Sequence, residues 1–242
     1  MKSEFAVATI CHEYKGNPEL MLGSLDWLGT NGYKVFVTDG GSSHGFISKI
    51  EKMGHHVLRS ERGLRGQMES SLLAAGKGAG HVVYCEIDKY EFLTTRLERT
   101  LHLYRESAIE YAVIGRGQQE FMSFPPQQRE IETAQNNLIG HELALNGDWV
   151  GGPAVMPASH TKALQDSRFF GQVRYGWGVP WYLLARAFAN RLKIGVISTG
   201  CGVHETARYE FNPGYRLYQA NHILGCFYEG LGKHYDWIDR KE

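Results

Sequence analysis

The chain has 242 residues, 43% of them hydrophobic and 21% charged, a balance that excludes disorder and suits one large α/β domain or two small ones. Lys plus Arg and Asp plus Glu number 26 each, so no global field draws the chain to nucleic acid. Any phosphate contact must come from a local cluster, a bound metal or a helix N-terminus.

The first hundred residues alternate short apolar runs with longer amphipathic segments. Phe5–Ile10 reads as a strand, and a helix near Pro18–Leu28 begins just after Asn17. Lys34–Thr38 is a second strand, and Ser43–Met53 a helix that stops at Gly54. His56–Arg59 is a short third strand, followed by a helix over Gly66–Ala75. Val82–Cys85 is a fourth strand, with a helix near Thr95–Glu106. This alternation predicts βαβ units, a mostly parallel sheet and helices on both faces.

The second half is less regular. Tyr111–Gly115 reads as a strand, and a polar stretch with Pro125 and Pro126 leads to a helix over Glu130–Leu145. Trp149–Met156 reads as a strand interrupted by glycines. Pro180–Asn190 is a helix, Lys193–Ser198 a last strand and Tyr215–Leu231 a closing helix. No repeat or Pro/Gly/Ser-rich linker divides the chain, so the expectation is one continuous domain, with residues 1–110 binding a nucleotide and 111–242 an acceptor.

In open parallel sheets, ligands bind beyond the carboxyl ends of the strands. There the first strand carries Cys11-His12-Glu13-Tyr14 and the second Asp39-Gly40-Gly41-Ser42-Ser43. The third is followed by Arg62-Gly63-Leu64-Arg65-Gly66, and the fourth by Glu86-Ile87-Asp88. The Asp39–Ser43 segment has two readings: a tight turn capping the next helix, or a ligand turn in which Asp39 accepts hydrogen bonds from a base or ribose. Neither GxGxxG nor GxxxxGK[ST] is present. Glu86 and Asp88 are either a solvated loop or a pair needing a cation, since two close carboxylates repel each other. A hard ion, Mn²⁺ or Mg²⁺, suits them and bridges to diphosphate oxygens. The two arginines are either a solvated basic turn or planar donors to phosphate.

These segments carry a resemblance. VFVTDGGSSHG and RGLRGQMESSLLAAGKGAGHVVYCEID resemble the nucleotide and metal blocks of family 2-like GT-A glycosyltransferases. VGGPAVMP and YGWGVPWYLLARAFANRLKIGVI resemble their later acceptor-side blocks, so the likeness spans about residues 4–205. It implies a GT-A fold, a nucleotide diphosphate sugar donor, a divalent metal, and a small-molecule or glycan acceptor. Asp39 then binds the nucleoside with Glu13 near the base and Gly40 admitting the ligand. Arg65, with Arg62 and Gly66, lies at the diphosphate. Asp88 is the main metal ligand, and Glu86 stands where the family has Asp.

Two departures matter. Gly176-Trp177-Gly178 runs into Val179-Pro180 without the carboxylate that inverting members carry there. Gly202-Val203-His204-Glu205 resembles retaining members, of the mannosylglycerate and glucosyl-phosphoglycerate synthase types, in which a late His completes the metal site. His204 is therefore the third expected ligand, against the alternative of a solvated loop histidine. The expectation is retention of configuration, with Asp148 or Asp166 as remaining candidates for a base. Arg116, Gln118, Asn137, Tyr175, Trp177 and Trp181 are the expected acceptor contacts, the aromatics being equally readable as core. Two other classes compete: a nucleotidyltransferase, which lacks its glycine-rich Thr-Arg loop here, and a non-catalytic binding module.

Cys11, Cys85, Cys201 and Cys226 form no CxxC pair and read as reduced thiols. The N-terminus does not read as a signal peptide, and no segment has the roughly 20 apolar residues of a membrane span. A cytoplasmic location is expected. Peripheral membrane association and self-association stay open.

Overall fold

A computed structural model describes residues 4–15, 17–60, 63–165, 176–199 and 212–233. Strand β1 (Phe5–Cys11) leads to helix α1 (Pro18–Thr30), which Asn17 caps by accepting the N–H groups of Glu19 and Leu20. Strand β2 (Lys34–Asp39) leads to α2 (His44–Lys52), capped by the Ser43 hydroxyl accepting from the Phe46 N–H at 3.2 Å. Strand β3 (His56–Arg59), α3 (Gly63–Gly76) and β4 (His81–Tyr84) complete the first wing. A wider π-turn over Phe92–Arg96 then feeds α4 (Leu97–Glu106).

The second wing holds β5 (Tyr111–Gly115), the short α5 (Gln118–Met122), α6 (Pro126–Leu143) and β6 (Ala154–Pro157). It ends with α7 (Val179–Ala189), β7 (Ile194–Ser198) and α8 (Pro213–Gly230). All seven strands form one sheet in the order β3-β2-β1-β4-β6-β5-β7. β6 alone runs antiparallel, pairing Tyr84↔Ala154 on one side and Val113↔Ala154 on the other. The carboxyl ends of the other six therefore open on one edge.

Side-chain alternation builds two cores. Ala6, Ala8, Val82 and Tyr84 face α3, α7 and α8. Phe5, Val7, Cys11, Val83 and Cys85 face α1, α2 and α4.

Two expectations need correction. Only Ala154–Pro157 of the 149–156 stretch is a strand. The N–H groups of Trp149 and Val150 donate to the Asn136 side chain at 2.7 and 3.1 Å, so they are lost to a ladder. Gly152 sits at φ +107°, outside strand geometry. The helix expected from Glu130 begins four residues earlier, because Pro126 lacks the N–H that a first turn leaves unpaired anyway.

Candidate functional site

Six strand ends line one edge, and the first-wing residues singled out above lie along it. Asp39 closes β2 and is only 5% exposed. Its carboxylate accepts the Ser42 N–H at 2.9 and 3.2 Å, and the Cys11 thiol lies 3.8 Å away. Burial and the neighbouring Asp39 charge push that thiol up to about 12, so it stays protonated. The Gly40 N–H donates to the Cys11 carbonyl at 3.0 Å. A β-carbon at Gly40 would lie 2.4 Å from the Gln67 amide of α3, so a larger residue there would have to displace the Gln67 side chain.

Glu13 clamps the first strand end to the second. Its N–H donates to the Ser42 hydroxyl and its carboxylate accepts the Ser43 N–H, both at 2.9 Å. The Ser43 hydrogen bonds hold the Glu13 carboxyl below its ordinary range. The capping and ligand readings of this turn are thus compatible, since a carboxylate offers about four acceptor positions and Asp39 spends three, on the Ser42 N–H and the Cys11 thiol.

The β4 end carries the acid turn. The Cys85 N–H prolongs the pairing with β1 by donating to the Ala8 carbonyl at 3.2 Å. Cys85 and Ile87 are each 1% exposed and belong to the core on the α1 and α4 side. Glu86 is half-buried and Asp88 exposed. The turn closes through Lys89 N–H to the Glu86 carbonyl at 3.2 Å and Tyr90 N–H to the Asp88 carbonyl at 2.8 Å. Lys89 Nζ lies 3.2 Å from Glu86 Oε2. Burial acts to lower the Lys89 ammonium, but Glu86 and Asp88 outweigh it and raise it above its ordinary value. At the end of β4, Tyr84 is 2% exposed, and among the described residues its hydroxyl has no hydrogen-bond partner.

β2 and β4 flank β1, so at about 4.8 Å per strand the Asp39 turn and the acid turn stand roughly 10 Å apart. That separation suits a nucleoside at one end and its diphosphate at the other. Between and above them lies α3, where Gly66 is buried and Arg65 half-buried. Arg65 reaches toward α8, where its charge opposes the burial that pushes the Cys226 thiol up to about 12. Arg62, Tyr175, Asp166 and His204 lie outside the described residues.

Glu86 and Asp88 suit a hard divalent ion, because Mg²⁺ and Mn²⁺ take one or two carboxylates and complete their shell with phosphate oxygens and water. Glu86 at present pairs with the Lys89 ammonium. Among the described residues no cluster of three metal-ligating side chains occurs.

The acceptor-side expectations fare differently. Arg116, beyond β5, is buried and committed to the protein. Its backbone N–H, Nε and Nη2 donate to Asp148 at 2.7–2.8 Å, and Nη1 to Glu132 at 2.6 Å. Phe121 and Phe124 stack on the guanidinium at 4.9 and 4.7 Å. Arg116 is therefore the centre of an ion-pair network that ties β5 to the 148 loop and α6. Burial acts to raise the Asp148 carboxyl, but the Arg116 hydrogen bonds prevail and hold it low, which makes it a poor base. Trp181 is core: 9% exposed, its indole N–H donates to the Trp149 carbonyl at 2.8 Å. Trp177 is half-buried. Gln118 lines a cavity of about 230 Å³ with Arg116 and Asp148. Asn137 lines an adjoining hollow between α5 and α6 that shares Phe121 and Thr133 with the first, and it is Asn136 that organises the 148–150 loop.

Lys89, Gln67 and Asn136 went unnoticed in the sequence. Lys89 alone left a signal there, three residues after Glu86 on a turn.

No protein-family profile and no curated protein matches the chain. Solved structures do. Glucosyl-3-phosphoglycerate synthase from Mycobacterium tuberculosis, solved with Mn²⁺, UDP-glucose and phosphoglyceric acid, superposes with a TM-score of 0.66 at 15% identity. That match covers 97% of this chain and 81% of the synthase. The same enzyme with Mg²⁺ and UDP gives 0.62 at 14% identity, over 97% and 81% of the two chains. With Mn²⁺, UDP and phosphoglyceric acid it gives 0.63 at 16%, over 97% and 80%. At such identities the likeness speaks for architecture, and with the strand order above it establishes that this chain has the GT-A fold.

Proposed function

We propose that the chain is a metal-dependent glycosyltransferase, moving a sugar from a UDP- or GDP-sugar to a hydroxyl of a small molecule or glycan with retention of configuration. The observation that carries this reading is the pairing, on one carboxyl edge, of the buried Asp39 turn with the Glu86/Asp88 turn two strands away. Support comes from the shared fold of a synthase solved with UDP-glucose and Mn²⁺.

In this reading residues 1–110 hold the donor. Asp39 and Glu13 engage the nucleoside, and Gly40 lets it approach the backbone. Arg65, with Arg62, Gly66 and the first amides of α3, meets the diphosphate. Asp88, Glu86 and His204 hold a Mn²⁺ or Mg²⁺ ion, which supplies Lewis-acid neutralisation of charge on the leaving diphosphate. Residues 111–242 form the acceptor side, where Arg116 positions the Asp148 loop. Cys11, Cys85 and Cys226 are buried thiols that form no disulfide among the described residues, which suits a reducing cytoplasm. Among the described residues no helix is long and apolar enough to cross a membrane.

Support for retention comes from the acceptor side. Asp148 is held ionised and already hydrogen-bonded, and no carboxylate follows Gly178 in the sequence at the place inverting members have one. In the proposed step the bond from the anomeric carbon to the diphosphate oxygen breaks. The acceptor oxygen bonds to that carbon on the same face, and its proton passes to the departing diphosphate. The protein orients both partners and stabilises the charge with preset cations.

The test is nucleoside diphosphate release from a panel of UDP- and GDP-sugars with polyol and glyceric-acid acceptors, with the anomeric proton of the product read by NMR. Release that needs Mn²⁺ or Mg²⁺ and gives the donor's own anomeric configuration is expected. An inverted product would overturn retention; donor binding without release would make this a binding module.

A further inference from the structure

Lys89 has no part in the roles above, yet it sits inside the proposed donor site. Its ammonium lies 3.2 Å from Glu86 Oε2, with both side chains about a third exposed. Its stem passes near Gly152, where an added β-carbon would lie 3.5 Å from Lys89 Cε, an ordinary van der Waals contact. Gly152 stands at φ +107°, a conformation that bulkier residues rarely adopt. The lysine is thus held between the acid turn and the loop that enters β6.

Two carboxylates on a tight turn repel each other, and the Lys89 ammonium beside Glu86 offsets part of that repulsion. We propose that Lys89 is the resident counter-ion of the acid turn, occupying Glu86 until a nucleotide diphosphate arrives with its divalent ion and then passing to a diphosphate oxygen. The proposal rests on the donor-binding reading above.

Its consequence is an ordered site. Without nucleotide a divalent ion must compete with a tethered ammonium for Glu86, so the metal alone binds weakly. A diphosphate supplies the ammonium with a more highly charged partner and the ion with extra oxygens, so the two bind together. Lys89 is a positioning residue by this account, and its effect shows in metal affinity measured without nucleotide.

The experiment is Mn²⁺ binding to the full chain without nucleotide, read by electron paramagnetic resonance, for the native protein, Lys89→Met and Lys89→Arg. Lys89→Gln replaces the methionine variant if that one does not fold. Lys89→Met is expected to bind Mn²⁺ about five- to tenfold more tightly, with Lys89→Arg close to native. In chelator, Lys89→Met is also expected to bind UDP at least about fivefold more weakly than native. Unchanged Mn²⁺ affinity overturns the counter-ion role, and unchanged UDP affinity in chelator overturns the transfer to diphosphate. A native protein that binds no nucleotide or nucleotide sugar under any condition instead refutes the donor reading. The Mn²⁺ titration still reports on Lys89 in that case.

Discussion

Asp88→Ala is expected to lower sugar transfer by about a thousandfold while leaving the fold intact. Asp88 is exposed on its turn, so its removal uncovers no core. Surface changes of that kind stay within about 0.5 kcal/mol, or roughly 1–2 °C in Tm for a chain of this length. The catalytic loss is larger because the aspartate is the main protein ligand of the proposed ion, and neutralising a leaving diphosphate is worth several kcal/mol. At 1.36 kcal/mol per decade, about 4 kcal/mol is a factor near a thousand. Turnover that survives the substitution and still needs added metal would remove Asp88 from the site. Glu86→Gln should cost less, because Glu86 already shares its carboxylate with Lys89.

The second large effect is on stability. Arg116→Met is expected to destabilise the protein by about 3–5 kcal/mol, read by urea denaturation at neutral pH. The guanidinium is the only cation in contact with Asp148 and Glu132 among the described residues, and its loss leaves both carboxylates partly buried and unpaired. The double variant Arg116→Met/Asp148→Asn should recover part of the loss by removing one stranded charge. The pH dependence has a definite sign. Arg116 holds the folded-state Asp148 carboxyl below its ordinary 3.8, so the stabilisation is full above that value. It fades as pH falls through the folded-state value, and the gap between native and variant should narrow in acid. A neutral result at pH 7 would mean the network is no more than a surface feature.

The contrast between these residues shows what a sequence makes legible. β5 ends where its apolar run ends, and α1 starts at Pro18, just after its Asn17 cap, because a cap is a local signal. β6 was misjudged because its neighbour 149–153 is equally apolar. What separates them is the distant Asn136 side chain, which draws off two backbone N–H groups. The antiparallel sense of β6 depends on how 144–153 crosses the carboxyl edge, and no local pattern encodes that.

The donor half of the candidate site followed from topology: residues after parallel strands must share an edge, so Asp39, Glu86 and Asp88 could be grouped from spacing alone. Their partners could not. Gln67 closing over Gly40 depends on how α3 packs, and the burial of Trp181 under Trp149 depends on two wings folding together. Arg116 looked like a ligand contact because an arginine after a strand is chemically apt for phosphate. Asp148 and Glu132, 32 and 16 residues further along, claim it instead.

The most direct test of the central claim is thermal stabilisation by UDP- and GDP-sugars, each measured with Mn²⁺ and with chelator. Ligand that binds only the native state at a hundredfold excess over Kd adds about 2.7 kcal/mol. For a chain of this length that is roughly 5–10 °C. A shift of this size for at least one donor, present with Mn²⁺ and much reduced in chelator, is the predicted result. No shift with any nucleotide sugar in either condition would contradict the account and leave the Asp39 and Asp88 turns as structural elements of the sheet edge.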